Sequence, residues 1–153
     1  MNKMPKKCLV IGYGSIGKRH ADVLLSMGCD VSVVSCHAQN IDNCLRYSSV
    51  SEAFSGKNYD YVIIANITSH HAETLKKILP YLEENTVCFV EKPLFSSIDQ
   101  YVDISNRKVV SGYVLRAHPL LRRMKDILQK KRIYSPSLPP KISKPHMTMQ
   151  RVI

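Results

Sequence analysis

No stretch of about 18 or more apolar residues occurs in this sequence, so it offers no candidate for a membrane-spanning helix. The opening residues, Met1-Asn2-Lys3-Met4-Pro5-Lys6-Lys7, lack the long apolar segment of a signal peptide, and a cytoplasmic location is the expectation. Cysteine is present five times, an odd number, without CxxC or metal-ligand spacing, which argues against a disulfide framework or a zinc site and predicts no metal. Cys8 and Cys88 lie in apolar runs and read as core residues. Acidic residues are scarce: 12 stand against 22 Lys and Arg, for a net charge of +10. That balance invites a nucleic-acid reading, but its distribution weakens it. Lys131, Arg132, Lys141, Lys144 and Arg151 lie in a terminal segment with no acid, and removing them leaves +5 on residues 1–130, a mild excess suited to an anionic cofactor.

What is present is an alternation of apolar runs and helical patterns. The 153 residues suffice for one domain with a core and are too few for two of full size. Cys8-Leu9-Val10-Ile11 reads as a strand buried on both faces, and Ile16, Val23, Leu24 and Met27 then recur at helical spacing up to Gly28. Val31-Ser32-Val33-Val34 predicts a second strand, with Asp30 a turn residue before it. A short helix and a short strand are expected across residues 40–47, and one helical turn at 51–54. Tyr61-Val62-Ile63-Ile64-Ala65 is the strongest strand, followed by a helix capped by Thr68 or Ser69, with Ala72, Leu75, Ile78 and Leu79 on its apolar face and Pro80 at its end. Strands at 86–90 and 109–115 enclose an expected helix at 98–104, and Pro119 opens an amphipathic helix to Gln129. The βαβ alternation predicts an α/β fold with a doubly wound parallel sheet of Rossmann type. Residues 6–132 form the expected domain; 133–153, with Pro136, Pro139, Pro140 and Pro145 among Ser and Lys, are expected to be a disordered tail.

Gly12-Tyr13-Gly14-Ser15-Ile16-Gly17 is a GxGxxG turn after a strand and before a helix, the context in which the motif predicts dinucleotide binding. Gly12 permits the turn, Gly14 lets the backbone approach a pyrophosphate, and Gly17 allows close helix packing. Lys18, Arg19 and His20 add positive charge beside it, or are solvated surface. At the end of the second strand an NAD-preferring domain usually carries an acid for the ribose; this chain has Ser35-Cys36-His37. Ser35 becomes the cofactor-facing candidate, with His37 and Arg46 able to meet a 2′-phosphate, and NADP is as well suited as NAD.

Four segments in order, GYGSIGKRHADVL, YVIIANITSHHAETL, VEKPLF and GYVLRAHPLLRRMKDIL, resemble the Gfo/Idh/MocA family of oxidoreductases over about residues 6–132. The resemblance implies that Glu91-Lys92-Pro93 is the family's EKP motif, with Lys92 a catalytic candidate near nicotinamide and substrate and Glu91 beside it in the cofactor site. It also implies that Asn66 and His71 lie near the nicotinamide ribose, while His70 faces solvent. Arg116 and His118-Pro119 match the segment after the sixth strand, whereas Val114, Ala117 and Ile67 depart from the family's usual Asn, Phe and Pro. Family members continue into a second domain with an open antiparallel sheet that supplies the substrate pocket and a catalytic histidine. No such region occurs here, and Ile133-Tyr134-Ser135 is at most the first step of its opening strand, as a truncated or frameshifted reading frame would leave. The expectation is an NAD(P)-binding domain whose full-length relatives transfer hydride between nicotinamide and a sugar-type or cyclitol substrate, inactive alone, with a homo-oligomer possible and no membrane partner. A non-catalytic nucleotide-sensing or interaction module would need the glycine turn but not Lys92. A nucleic-acid binder using Arg122, Arg123, Lys125 and the 130–132 cluster has no aromatic interleaving to support it.

Overall fold

The computed structural model describes residues 4–37, 41–97, 99–104 and 106–129. Its strands are β1 (Lys7–Ile11), β2 (Asp30–Val34), β3 (Leu45–Tyr47), β4 (Tyr61–Ile64), β5 (Val87–Val90) and β6 (Lys108–Ser111). They form one sheet in the order β3-β2-β1-β4-β5-β6, and all pairings among the described residues are parallel. This is the doubly wound Rossmann order, in which the chain leaves β1 in one direction to reach β2 and returns past it to reach β4.

Side chains alternate across the sheet, and both faces are covered. Cys8, Val10, Val31, Val33 and Ile63 pack on one side with Ala21 of helix α1 (Ser15–Ser26). Leu9, Ile11, Val62 and Ile64 pack on the other with Ala53 of α2 (Val50–Ala53) and Ala72, Leu75 and Ile78 of α3 (His71–Ile78). Leu75 and Ile78 are fully buried, a gain of about 1.5–3 kcal/mol each relative to exposure. Burial of every β1 residue after Lys7 explains why that strand reads as an unbroken apolar run.

Several expectations are corrected. The helical spacing of Ile16, Val23, Leu24 and Met27 finds the right helix but only in part its inner face: Leu24 packs on the core, whereas Ile16, Val23 and Met27 are 48%, 50% and 71% exposed. The fully buried residues are Gly17 and Ala21, because the helix lies close on the sheet beside the glycine turn, and Leu24 and Leu25 pack partly buried further along. Asp30 opens β2 instead of standing before it, and described residues 41–44 form a turn, not a helix. Among the described residues no side-chain capping bond from Thr68 or Ser69 starts α3. A 3-10 turn, Thr68–His70, leads into α3, and the His70 N–H bonds the Ile67 carbonyl at 2.8 Å. The helix expected at 98–104 does not form among described residues 99–104. There Gln100 Oε1 accepts from the Ser96 N–H and hydroxyl at 3.0 and 3.1 Å, and the Asp99 N–H donates to Ser97 Oγ at 3.3 Å, local bonds that compete with a helix. The last strand stops at Ser111, short of the expected 115, because its neighbour β5 ends at Val90.

The chain divides into two compact units, at Gly112 and Tyr113. Within the second, a 3-10 turn (Val114–Ala117) precedes helix α4 (Pro119–Gln129). Pro119 opens the helix as expected, and His118 Nδ1 accepts from the Leu120 N–H at 3.3 Å, filling the capping role. The expected boundary at 132 and the tail 133–153 lie outside the described residues.

Candidate functional site

In a parallel sheet every strand delivers its following loop to the same edge. The glycine turn after β1, residues 35–37 after β2, Asn66 after β4 and residues 91–93 after β5 therefore share one edge, with β1 between β2 and β4 at the reversal of winding. Ligands of open α/β sheets bind in that crevice.

Gly12 has φ of +98°, and a Cβ there would lie 2.6 Å from the Asn66 nitrogen, so both conformation and space demand glycine. Gly14 differs. It is exposed, its backbone is extended, and no atom lies within 4 Å of where its Cβ would stand. It occupies the N-cap position of α1 without a side-chain capping bond, its carbonyl accepts the Lys18 N–H at 2.8 Å, and the first turn holds no acid. Open space at Gly14 over an uncapped helix N-terminus with no carboxylate fits an approaching pyrophosphate. Ser15 and Ile16 are exposed beside it, and Tyr13 is half-buried against the Val10 and Val33 side of the core, where desolvation raises its phenol pKa. Lys18 is turned aside to Asp22 at 3.0 Å, an exposed pair that raises the lysine's pKa.

Ser35 is buried at 9% exposure, its N–H donating to the Tyr47 carbonyl at 3.1 Å and its own carbonyl accepting from Arg46 Nε at 3.2 Å. Pairing to β3 thus draws Ser35 into the sheet, and the open positions at this end of β2 are Cys36 and His37. Neither of these two is a carboxylate.

His71 is 1% exposed, and its ring stands between two carbonyl oxygens, Pro93 O at 2.9 Å from Nδ1 and Asn66 O at 3.0 Å from Nε2. Both ring nitrogens lie against carbonyls of the loops after β4 and β5, and the neutral ring donates to one of them; His70 is exposed, as expected. Asn66 Nδ2 donates to Thr74 Oγ1 at 2.8 Å, while its Oδ1 is buried with no partner among the described residues.

The Glu91 N–H continues the ladder to Ile64 O at 2.9 Å. Its carboxylate is only 17% exposed, with Oε1 2.8 Å from His20 Nε2 and Oε2 accepting the Lys92 N–H at 3.1 Å. Lys92 is exposed, its ammonium has no hydrogen bond or ion pair to a described residue, and the peptide to Pro93 is cis. Sequence reasoning missed His20, grouping it with surface charge. The available signal was its position three residues after the buried Gly17, which puts both on one helix face. Among the described residues no group of three or more His, Cys, Asp or Glu could hold a metal ion, and no helix is long and apolar enough to cross a membrane.

A family model described as an oxidoreductase family with an NAD-binding Rossmann fold matches residues 6–116. Among solved structures the chain is similar to myo-inositol dehydrogenase from Lactobacillus casei in complex with NAD(H) and myo-inositol, at TM-score 0.69 and 23% identity, covering 82% of this chain and 42% of that one. It is similar to scyllo-inositol dehydrogenase of the same organism with bound NAD(H) and scyllo-inositol, at TM-score 0.68 and 18% identity, covering 82% and 41%. It is also similar to the WlbA dehydrogenase from Thermus thermophilus in complex with NAD and UDP-GlcNAcA, at TM-score 0.65 and 20% identity, covering 84% and 48%. No curated protein sequence matches. The chain spans less than half the length of each of these solved chains.

Proposed function

Because the chain belongs to the Gfo/Idh/MocA family of oxidoreductases, we propose that it binds NAD(H) or NADP(H) at the edge built from residues 12–17, 35–37, 66 and 91–93, as the cofactor-binding part of a sugar or cyclitol dehydrogenase. The observation that carries this is Gly14, an exposed N-cap glycine with open space before it on a helix whose first turn holds no acid. In this reading the N–H groups of the turn and of the first turn of α1 hold the pyrophosphate. Cys36 and His37 face the adenosine ribose, and with no carboxylate among residues 35–37 there is no charge to repel a 2′-phosphate, so NADP is accepted as well as NAD. The nicotinamide, when bound, supplies hydride donation or acceptance. Lys92 presents its free ammonium to the nicotinamide and to a substrate hydroxyl, where it donates a hydrogen bond and orients the reacting carbon. Asn66 and His71 support that end of the crevice, His71 by filling the space between the Asn66 and Pro93 carbonyls and donating its ring N–H to one of them. A sensing module would have no use for a lysine anchored on both sides and free at its tip, which favours the dehydrogenase reading. Hydride transfer to substrate belongs to a larger assembly, since one sheet edge leaves the substrate face of the nicotinamide open to water. A cytoplasmic location and the absence of a nucleic-acid partner accompany this reading.

The test is calorimetric titration of NADH and NADPH into the folded chain, with Gly14→Val as control. Binding of at least one cofactor, lost in the variant, is expected. Folded protein that takes up neither would remove the reading.

A further inference from the structure

We propose that His20 is a positioning residue for Lys92, by which the helix that receives the pyrophosphate also sets the backbone of the lysine. This rests on the reading of the chain as a dinucleotide-binding domain. Glu91 and His20 are 71 positions apart, yet His20 Nε2 and Glu91 Oε1 lie 2.8 Å apart, with side chains 27% and 17% exposed. A carboxylate that shielded is costly unless every oxygen has a partner. Here Oε1 has the histidine, and Oε2 has the N–H of Lys92 at 3.1 Å. The absence of a side chain at Gly112 leaves room for this carboxylate, since a Cβ there would come within 3.2 Å of both Glu91 Oε2 and Glu91 Cα. The His20 ring is fixed in turn by an edge contact with Phe89, at 5.6 Å between centroids and 65° between planes.

Lys92 is thus an exposed residue between two anchored neighbours, each held from a different face of the sheet. Glu91 is held by His20 of α1, and the Pro93 carbonyl by His71 of α3 at 2.9 Å. The lysine's backbone is tied while its ammonium has no partner among the described residues, which is how a side chain is made precise in origin and free in contact. A phosphate-binding role for His20 conflicts with the same geometry, since Nε2 is engaged by a carboxylate. A role limited to filling the core would need the ring against Phe89 but not an acid that passes its second oxygen to the next residue's N–H.

The experiment uses the full chain and compares His20→Ala, His20→Phe and His20→Gln. Phenylalanine keeps the ring contact without the hydrogen bond, and glutamine restores a donor. The 15N–1H resonance of the Lys92 amide is followed without ligand, and affinities for ADP and NADH are then measured. His20→Ala and His20→Phe are expected to move the Lys92 amide resonance and weaken NADH roughly five- to tenfold while ADP stays within about twofold, with substantial recovery in His20→Gln. Lys92→Ala should produce the same NADH loss, and the His20→Ala/Lys92→Ala double variant no further loss. Equal weakening of ADP and NADH, an unmoved Lys92 amide, or additive losses in the double variant would overturn the proposal. If the unmodified chain binds neither ligand, the dinucleotide reading fails, and the amide measurement still reports whether His20 holds the Lys92 backbone.

Discussion

A Cβ on Gly17 would lie 2.0 Å from the carbonyl oxygen of Gly12. The first and third glycines of the turn are therefore locked to each other, whereas a Cβ on the middle one, Gly14, would meet nothing within 4 Å. Alanine at 17 must push the turn away from the helix, and alanine at 12 must also adopt a φ of +98°. Each is expected to cost about 1–3 kcal/mol, read as a lowered denaturation midpoint. Alanine or valine at Gly14 should leave the midpoint nearly unchanged and abolish dinucleotide binding. If all three variants lower stability alike, Gly14 has a structural part that its open surroundings conceal.

Cofactor preference should respond at Cys36, not at Ser35. Cys36→Asp places a carboxylate at an exposed position at the end of β2, where it repels a 2′-phosphate and accepts from a ribose hydroxyl. A shift toward NAD over NADP of about tenfold, or about 1.4 kcal/mol, is expected in competitive titration. Ser35→Asp puts its charge at a buried position and should mainly lower stability.

The thiols should divide by burial. Desolvation pushes Cys88 up to about 12, and Cys8, beside Cys29, is likewise pushed up to about 12, so neither supplies thiolate at neutral pH. Cys36 is exposed. Alkylation followed by mass spectrometry should label Cys36 early and leave Cys8 and Cys88 unlabelled until the chain unfolds, with bound NADH slowing reaction at Cys36. Early labelling of Cys88 would contradict its placement in β5.

Acid should release one tie at the opposite edge of the sheet. The Asp60 carboxylate pairs with Lys6 and accepts the Lys7 N–H at 2.9 Å, and these bonds hold its pKa below the ordinary 3.8. A depressed folded value means the stabilisation is complete above 3.8 and disappears as pH falls through the lowered value. Asp60→Asn should therefore cost about 1 kcal/mol or less at neutral pH. The gap between the two melting temperatures should close as pH is lowered through the acid range.

The chain alone should bind cofactor without turning over substrate. Assayed spectrophotometrically with polyols, inositols and sugar derivatives and both cofactors, it is expected to show no activity. Turnover that survives purification and vanishes in Lys92→Ala would mean that the substrate wall is completed from elsewhere.

The local sequence determined the strand, glycine turn and helix from Lys7 to Ser26, because a buried strand, a residue forced to positive φ and a helix start follow from neighbours a few positions apart. It determined the strongest strand, β4, and the apolar face of α3 for the same reason. Only the tertiary structure decided which face of α1 turns inward, since Ile16, Val23 and Met27 have helical spacing as good as that of Gly17 and Ala21, and the choice depends on how close the sheet lies. It likewise buried Ser35 through pairing with β3, put side-chain turns in place of the expected helix among described residues 99–104, and set the His71 ring between two carbonyls. The link from His20 to Glu91 was the least legible of all. Periodicity records which residues share a face of one element, whereas a contact between residues 71 positions apart exists only once the sheet has brought α1 and the end of β5 together.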